Sequence, residues 1–272
     1  ILAQAVAAAS TYRLLRPPGS ARLPCRRRRT MAAGYTEMSD NPLVKEASQQ
    51  ARLGFVRKVY GITGAQLLLT AAISTPVSIN LDKMDPASVS TVLMFSSVMT
   101  LVTMFSLVCC PEMARKVPQN YILLFIFTAF EGVLVGAVCS TYSTQAVVAA
   151  LLATSIVVIG LTLYAWNTKS DFTGCGPYLV AMLLALIGCQ LVIWLVCMFG
   201  SCPPEVQKLY ALAGVVIFSM YLVYDTQLIL GEFGGHKQEF GLDDYVAAAL
   251  NLYLDIIQLF LNILQLLGDR DS

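Results

Sequence analysis

At 272 residues, 57% hydrophobic and only 13% charged, the chain is more apolar than a water-soluble domain, in which about a quarter of residues are charged. It reads as an all-α membrane protein, and nothing in it argues for nucleic acid as a partner. The net charge of +1 conceals an asymmetry, because residues 1–30 hold seven arginines and no acid and the remainder is net acidic.

The first segment, ILAQAVAAASTYRLLRPPGSARLPCRRRRT, has the composition of a transit peptide. The expectation preferred here is a native start at Met31, with residues 1–50 a non-native or disordered lead whose last part, 31–50, is a polar tail. Beyond it come seven apolar runs near the ~20 residues that cross a bilayer, at about 59–81, 88–110, 121–140, 146–166, 177–200, 209–231 and 245–267. Each can satisfy its own backbone in lipid only as a helix. The connectors NLDKMDPAS, CPEMARKVPQN, STYSTQ, NTKSDFTGCG, GSCPPE and GEFGGHKQEFGLDD carry turn and breaker residues. The result is a seven-helix transmembrane domain over 51–268, a short tail at 269–272 and no room for a soluble domain. Near the helix ends, Arg52, Arg57, Lys58, Arg115, Lys116, Lys169 and Lys237 fall on the side of the N-terminus, against Lys83, Lys208 and Arg270 on the other. That bias places the N-terminus in the cytosol. No internal repeat is visible, which disfavours the inverted-repeat transporters.

Three carboxylates sit inside these runs: Glu131 in FTAFEGVLVG, Asp225 in MYLVYDTQLILG and Asp255 in ALNLYLDIIQLFLNILQLL. Insertion scales put an acid at the bilayer centre at about 2.5 kcal/mol or more, so each is a functional candidate. With a rise of 1.5 Å per residue, Glu131 and Asp255 lie about 15 Å, and Asp225 about 9 Å, from the cytosolic ends of their runs. In the last run Asn251, Asp255, Gln258, Asn262 and Gln265 step by 4, 3, 4 and 3, which keeps them on one helical face. That face cannot meet lipid. The last helix is therefore expected at the centre of the bundle, with Leu250, Leu254, Ile257, Leu261 and Leu264 packed against its neighbours. The four amides fit the role of hydrogen-bonding glue between helices. The aspartates ask for more, because two close buried acids cannot both ionise cheaply and can share a proton. The same oxygens are hard ligands that suit Ca²⁺, which needs six to eight of them and would draw on backbone, water or Glu131 for the rest.

Eight cysteines, Cys25, Cys109, Cys110, Cys139, Cys175, Cys189, Cys197 and Cys202, form no CxxC pair, and His236 is the one histidine. A zinc site is not expected from that set, and most of the cysteines read as small apolar side chains. Cys139 and Cys202 both fall near the lumenal helix ends and are expected to stay unpaired with each other. His236 reads as a solvated loop residue among Glu232, Glu239, Asp243 and Asp244, acids that attract cations weakly to the cytosolic mouth. Without a Walker A, GxGxxG, GxSxG or HExxH motif, neither a cofactor nor an enzyme is expected.

Five segments in this order, GFVRKVYGITGAQLLLT, AFEGVLVG, NTKSDFTGCG, YLVYDTQLILG and DDYVAAALNLYLDIIQLFLNILQLLGDR, resemble the Bax-inhibitor family of membrane proteins, and within it the Lifeguard branch, over about residues 51–271. The resemblance implies a seven-helix bundle around a central last helix that acts as a pH-sensitive Ca²⁺ leak and suppresses apoptosis. It implies Golgi, endoplasmic reticulum, endosomal or plasma membrane as its place, and Ca²⁺, H⁺, lipid and cell-death regulatory membrane proteins as partners. It also implies that Asp225 and Asp255 are the pH-sensing pair and that Glu131 is a third acid facing the path. Arg115, or Lys116 beside it, would latch the pore from the end of the second helix. Two other readings of the same residues stand alongside. One is a non-conducting anti-apoptotic binding protein whose acids only stabilise the bundle. The other is an intramembrane aspartyl protease, which also sets YD in its sixth helix and an acid in its seventh. The protease is disfavoured because Asp255 sits in LYLD where presenilin-like enzymes have GxGD, and because no PAL tripeptide occurs.

Overall fold

The computed structural model of the chain describes residues 43–200, 203–232 and 240–268. Seven helices in it are long and apolar enough to cross a membrane. They are α1 (Gln49–Asn80), α2 (Pro86–Cys109), α3 (Gln119–Cys139), α4 (Thr144–Asn167), α5 (Gly176–Phe199), α6 (Pro204–Leu230) and α7 (Tyr245–Leu267). A one-turn helix, Pro111–Arg115, joins α2 to α3.

Side chains cap orphaned N–H groups at the start of three of these helices. The Ser48 hydroxyl accepts from the Ala51 N–H at 3.3 Å to start α1, and Ser143 does the same for Ala146 at the head of α4. Asp85 caps α2 by accepting from the Ser88 N–H at 2.9 Å, with Pro86 at the first helical position. That hydrogen bond holds the Asp85 carboxyl below its ordinary range. At the other end of α6, Gly231 takes a left-handed φ of 63° and donates to the Gln227 carbonyl at 3.1 Å, a stop that glycine adopts without strain. A Cβ there would also come within 2.7 Å of the Val44 side chain.

Six of the seven helices begin and end close to the apolar runs. α1 begins about ten residues sooner, because its first turns are amphipathic and bury Phe55, Val56 and Val59. The segment just before it is also part of the folded body. Val44 is 2% exposed and its N–H donates to the Phe240 carbonyl at 3.0 Å, while Leu43 pairs with Gly241 in an isolated bridge. The polar tail expected over 31–50 is thus ordered from residue 43. The leader at 1–30, the start at Met31, the loop residues His236, Lys237 and Glu239, Cys25, Cys202, Arg270 and the tail at 269–272 all lie outside the described residues.

α7 is the central helix. Of its most apolar window 78% is buried, against 11% to 44% for the other six. α1, α3, α4 and α6 pack on it, while α2 packs on α3 and α5 on α6. Leu250, Leu254, Ile257 and Leu264 are all buried, and Leu261 is half-buried against the core. The outer faces carry side chains that only lipid can cover, such as Ile156 on α4 and Phe199 on α5.

α1 and α3 pack closely against each other. Gly132 and Gly136 are one turn apart on α3, the small-xxx-small spacing that lets membrane helices approach at backbone distance. A Cβ on Gly136 would lie 2.8 Å from both the Ser74 carbonyl oxygen and Val77 Cβ, and one on Gly132 would lie 3.1 Å from Ile73 Cβ. Gly160 on α4 has nothing within 4 Å. We predict that Gly136→Leu destabilises the protein by about 1–3 kcal/mol through overpacking, read as a lower Tm in detergent. Gly160→Leu serves as the neutral control, and equal melting of the two variants would contradict this packing.

Candidate functional site

The site is built on the α6–α7 pair. Every residue of α6 from Tyr221 to Leu230 is buried, so the last turns of this helix are enclosed on all sides and three adjacent polar side chains, Asp225, Thr226 and Gln227, sit inside the protein. Asp225 is 2% exposed and Asp255, on α7, is 4% exposed. α6 runs toward the connector it shares with α7, and α7 runs away from it. Asp225 therefore lies about 8 Å, and Asp255 about 15 Å, along their helices from the same end of the bundle.

Asp255 is flanked one turn away on either side by Asn251, which is half-buried, and Gln258, which is buried. Further along, the Asn262 amide donates to the Gln258 carbonyl at 2.7 Å. Its carboxamide lies against α6 where Gly214 leaves room: a Cβ on Gly214 would overlap it, 2.9 Å from its Nδ2. At the far end the half-buried Gln265 donates to the Gln207 carbonyl of α6 at 3.4 Å. From Asn262 to Gln265 the stripe of α7 is thus turned toward α6, and Asp255 lies on the same face.

Gln227, two residues after Asp225, has a task that the sequence pattern did not disclose. Its Oε1 accepts from the Phe172 N–H at 2.8 Å and its Nε2 donates to the Ser170 carbonyl at 2.9 Å. Both of its polar groups are spent on the α4–α5 connector NTKSDFTGCG. Within that connector Asp171 accepts from the Thr173 N–H and hydroxyl at 2.8 and 2.6 Å. The YDTQ and SDFT motifs are therefore one structural unit. An amide inside an apolar span was the available signal.

Basic side chains gather where α7 begins. Arg115 Nε donates to Asp244 Oδ1 at 2.7 Å, and the other oxygen of Asp244, Oδ2, accepts from the Gly241 N–H at 3.0 Å. Lys58 sits 3.6 Å over the Tyr245 ring, a cation–π contact, and Arg52 donates to the Gly231 carbonyl at 3.3 Å. Of the two latch candidates, Arg115 makes this ion pair from the α2–α3 connector, and its partner is the residue that precedes α7. Lys116, next to it, is exposed, as is Arg115. Accepting the guanidinium hydrogen bond, Asp244 raises the Arg115 pKa above its ordinary value. Because that pKa is raised, the arginine's share of the pair is complete throughout the neutral and acid range and is lost only in strong alkali. A pH response between 5 and 8 cannot originate at Arg115.

Glu131 is fully buried on α3, but it is not turned to the same face of α7 as the aspartates. Its electrostatic partner on α7 is Tyr253, two residues and about 200° round the helix from Asp255. The acid expected as a third member of the path therefore addresses the opposite side of the central helix. Among the described cysteines, Cys109, Cys110, Cys139, Cys175 and Cys189 are free and Cys197 is disulfide-bonded.

Residues 52–272 match the family described as "Inhibitor of apoptosis-promoting Bax1". The chain is 36% identical over 228 residues to "Protein lifeguard 3" of Homo sapiens, covering 82% of this chain and 71% of that protein. It is 35% identical over 243 residues to "BI1-like protein" of Arabidopsis thaliana, covering 88% and 90%. It is 32% identical over 231 residues to "Bax inhibitor 1" of Schizosaccharomyces pombe, covering 83% and 80%.

The Arg115–Asp244 pair is partly exposed, at 37% and 20%, so its direct contribution to stability is small. A double-mutant cycle of Arg115→Ala and Asp244→Ala is expected to give a coupling of about 0.2–1 kcal/mol. The larger effect should be local, as faster amide exchange through the first turn of α7 in either variant. Unchanged exchange there in both would show that the pair does not tether the connector to α7.

Proposed function

The chain belongs to the Bax inhibitor family, and from that premise we propose that it is a Ca²⁺ leak of intracellular membranes, gated by protonation of Asp225 and Asp255, that restrains cell death by setting Ca²⁺ stores. The observation that carries this reading is the burial of two carboxyl groups, on neighbouring helices, in the half of the bundle nearer the α6–α7 connector. Two ionised carboxylates there carry two negative charges with little water, which is costly unless a proton or a cation joins them. A divalent cation balances that charge. The amide oxygens of Asn251 and Gln258, one turn to either side of Asp255, add hard ligands toward the six to eight that Ca²⁺ prefers. Protonation removes the charge and lets one carboxyl donate a hydrogen bond to the other, so proton and Ca²⁺ compete for the same oxygens.

The loop-charge bias of Arg52, Arg57, Lys58, Arg115 and Lys116 supports a cytosolic N-terminus, which puts the aspartates nearer the cytosolic face. On that side the Arg115–Asp244 pair ties the α2–α3 connector to the start of α7 and fits the part of a latch over the mouth. A family described as an inhibitor of apoptosis-promoting Bax1, and a Schizosaccharomyces pombe relative named Bax inhibitor 1, support the anti-apoptotic role.

Ca²⁺ flux through purified protein in liposomes, recorded from pH 5 to 8, tests ion, gate and residues together. The unaltered chain is expected to conduct with a pH dependence that Asp255→Asn flattens. Equal flux and equal pH response in the two would refute the gate. Preserved protection of stressed cells in an Asp225→Asn, Asp255→Asn double variant that has lost flux would favour the non-conducting reading.

A further inference from the structure

A second polar centre lies across α7 from the aspartates, between α1, α3 and α7. Thr63, Gln66 and Thr70 follow one face of α1, and all three are buried. Gln66 Nε2 donates to Thr128 Oγ1 of α3 at 3.0 Å, and the Thr128 hydroxyl donates to the Leu124 carbonyl at 2.8 Å. The Thr70 hydroxyl donates to the Gln66 carbonyl at 2.9 Å and lies 2.8 Å from the Tyr253 hydroxyl. A threonine has one hydrogen to give, so in that contact Tyr253 is the donor. One turn along α3 from Thr128 sits Glu131.

None of these hydrogen bonds ends on Glu131. Three buried atoms are left with no hydrogen-bond partner: Glu131 Oε1, Glu131 Oε2 and Gln66 Oε1. All three are acceptors. Buried polar atoms in proteins are nearly always paired, and a carboxylate alone in a bilayer is costly. Three acceptors with no donor call for a positive charge.

We infer that Glu131, with Gln66, Thr70, Thr128 and Tyr253 about it, is a binding site for one monovalent alkali cation in exchange with a proton, separate from the Asp225–Asp255 pair. Charge fixes the class of ion. Among the described residues no charged group acts on Glu131. α1 brings no titratable group to it, the buried polar positions of α2 are Ser96, Thr100 and Thr103, and α7 brings only Tyr253. One carboxylate neutralises one charge, whereas Ca²⁺ would keep a net positive charge inside the membrane and lack its full set of oxygens.

The site has an approach. A cavity of about 390 Å³ opens between α1 and α4 in the half of the bundle remote from the Arg115–Asp244 pair. Thr70 is in its wall, as is Val135, one turn beyond Glu131, and the hydroxyls of Ser74, Ser78 and Thr154 continue along it. A small cation entering there meets hydroxyl oxygens up to Thr70 and then the orphaned acceptors.

Thermal melting of the purified full chain in detergent tests this, with sodium or potassium chloride compared with choline chloride at equal ionic strength. At pH 8 the alkali salts are expected to shift Tm upward by a few degrees, as any ligand of the folded state does, and at pH 5 proton competition should shrink the shift. The isosteric Glu131→Gln should lose the alkali-specific shift, Gln66→Leu should weaken it, and Asp255→Asn should keep it. The comparison of pH 8 with pH 5 on the unaltered chain needs no variant. Absence of an alkali-specific shift at pH 8, an equal shift in Glu131→Gln, or a larger Glu131-dependent shift with CaCl₂ would each overturn the inference. Because Asp255→Asn leaves this site intact, its outcome is separable from that of the Ca²⁺ gate.

Discussion

Everything in this bundle follows from the need to hide the polar side chains of α7 from lipid. A helix crossing a bilayer satisfies its own backbone, but a carboxyl and four amides on one face remain to be covered. Covering that face draws α6 against α7 along its length. Gly214 gives the Asn262 carboxamide its place, and the last turns of α6 are themselves enclosed. Enclosing α6 in turn pulls in the α4–α5 connector, which Gln227 holds through two backbone hydrogen bonds. On the other side of α7, Gly132 and Gly136 let α1 and α3 close at backbone distance.

The central helix divides two groups of ionisable oxygen. Asp255 looks to the side of α6 and Asp225, where two carboxyls and flanking amides match a divalent ion or shared protons. Tyr253 looks to the side of Glu131, Gln66 and Thr70, where a single carboxyl matches a single charge. Charge count distinguishes the two centres more sharply than their ligand types do, because in a medium of low dielectric any charge left over dominates the energy. Placing both centres on one buried helix also makes it the element through which they can affect each other.

Much of this was legible in the sequence, and the limits have physical causes. The 4, 3, 4, 3 spacing from Asn251 to Gln265 shows that α7 carries a face lipid cannot cover, because polar positions on an apolar helix give an unambiguous period. Seven runs of spanning length show the helices. The start of α1 was missed because its first turns are polar enough to escape an apolar window, although Phe55, Val56 and Val59 are buried. Glu131 was set on the path of the aspartates by the family resemblance alone, because α3 is apolar nearly all round and its own period does not say which neighbour the acid meets. Its partner Tyr253 lies on the side of α7 away from the polar stripe. The Arg115–Asp244 pair joins residues 129 apart, and charge counting finds such residues without pairing them.

The most direct measurement of the central constraint is photolabelling of the intact protein in lipid vesicles with a carbene reagent confined to the acyl phase, read by peptide mass spectrometry. Enclosure of α7 predicts label on α4 and α5, at exposed side chains such as Ile156 and Phe199, and none on the α7 stretch that contains Leu252, Leu259 and Leu264, each at most 1% exposed. Label within that stretch at a level comparable with α4 would show α7 facing lipid, and neither buried centre could then exist as described.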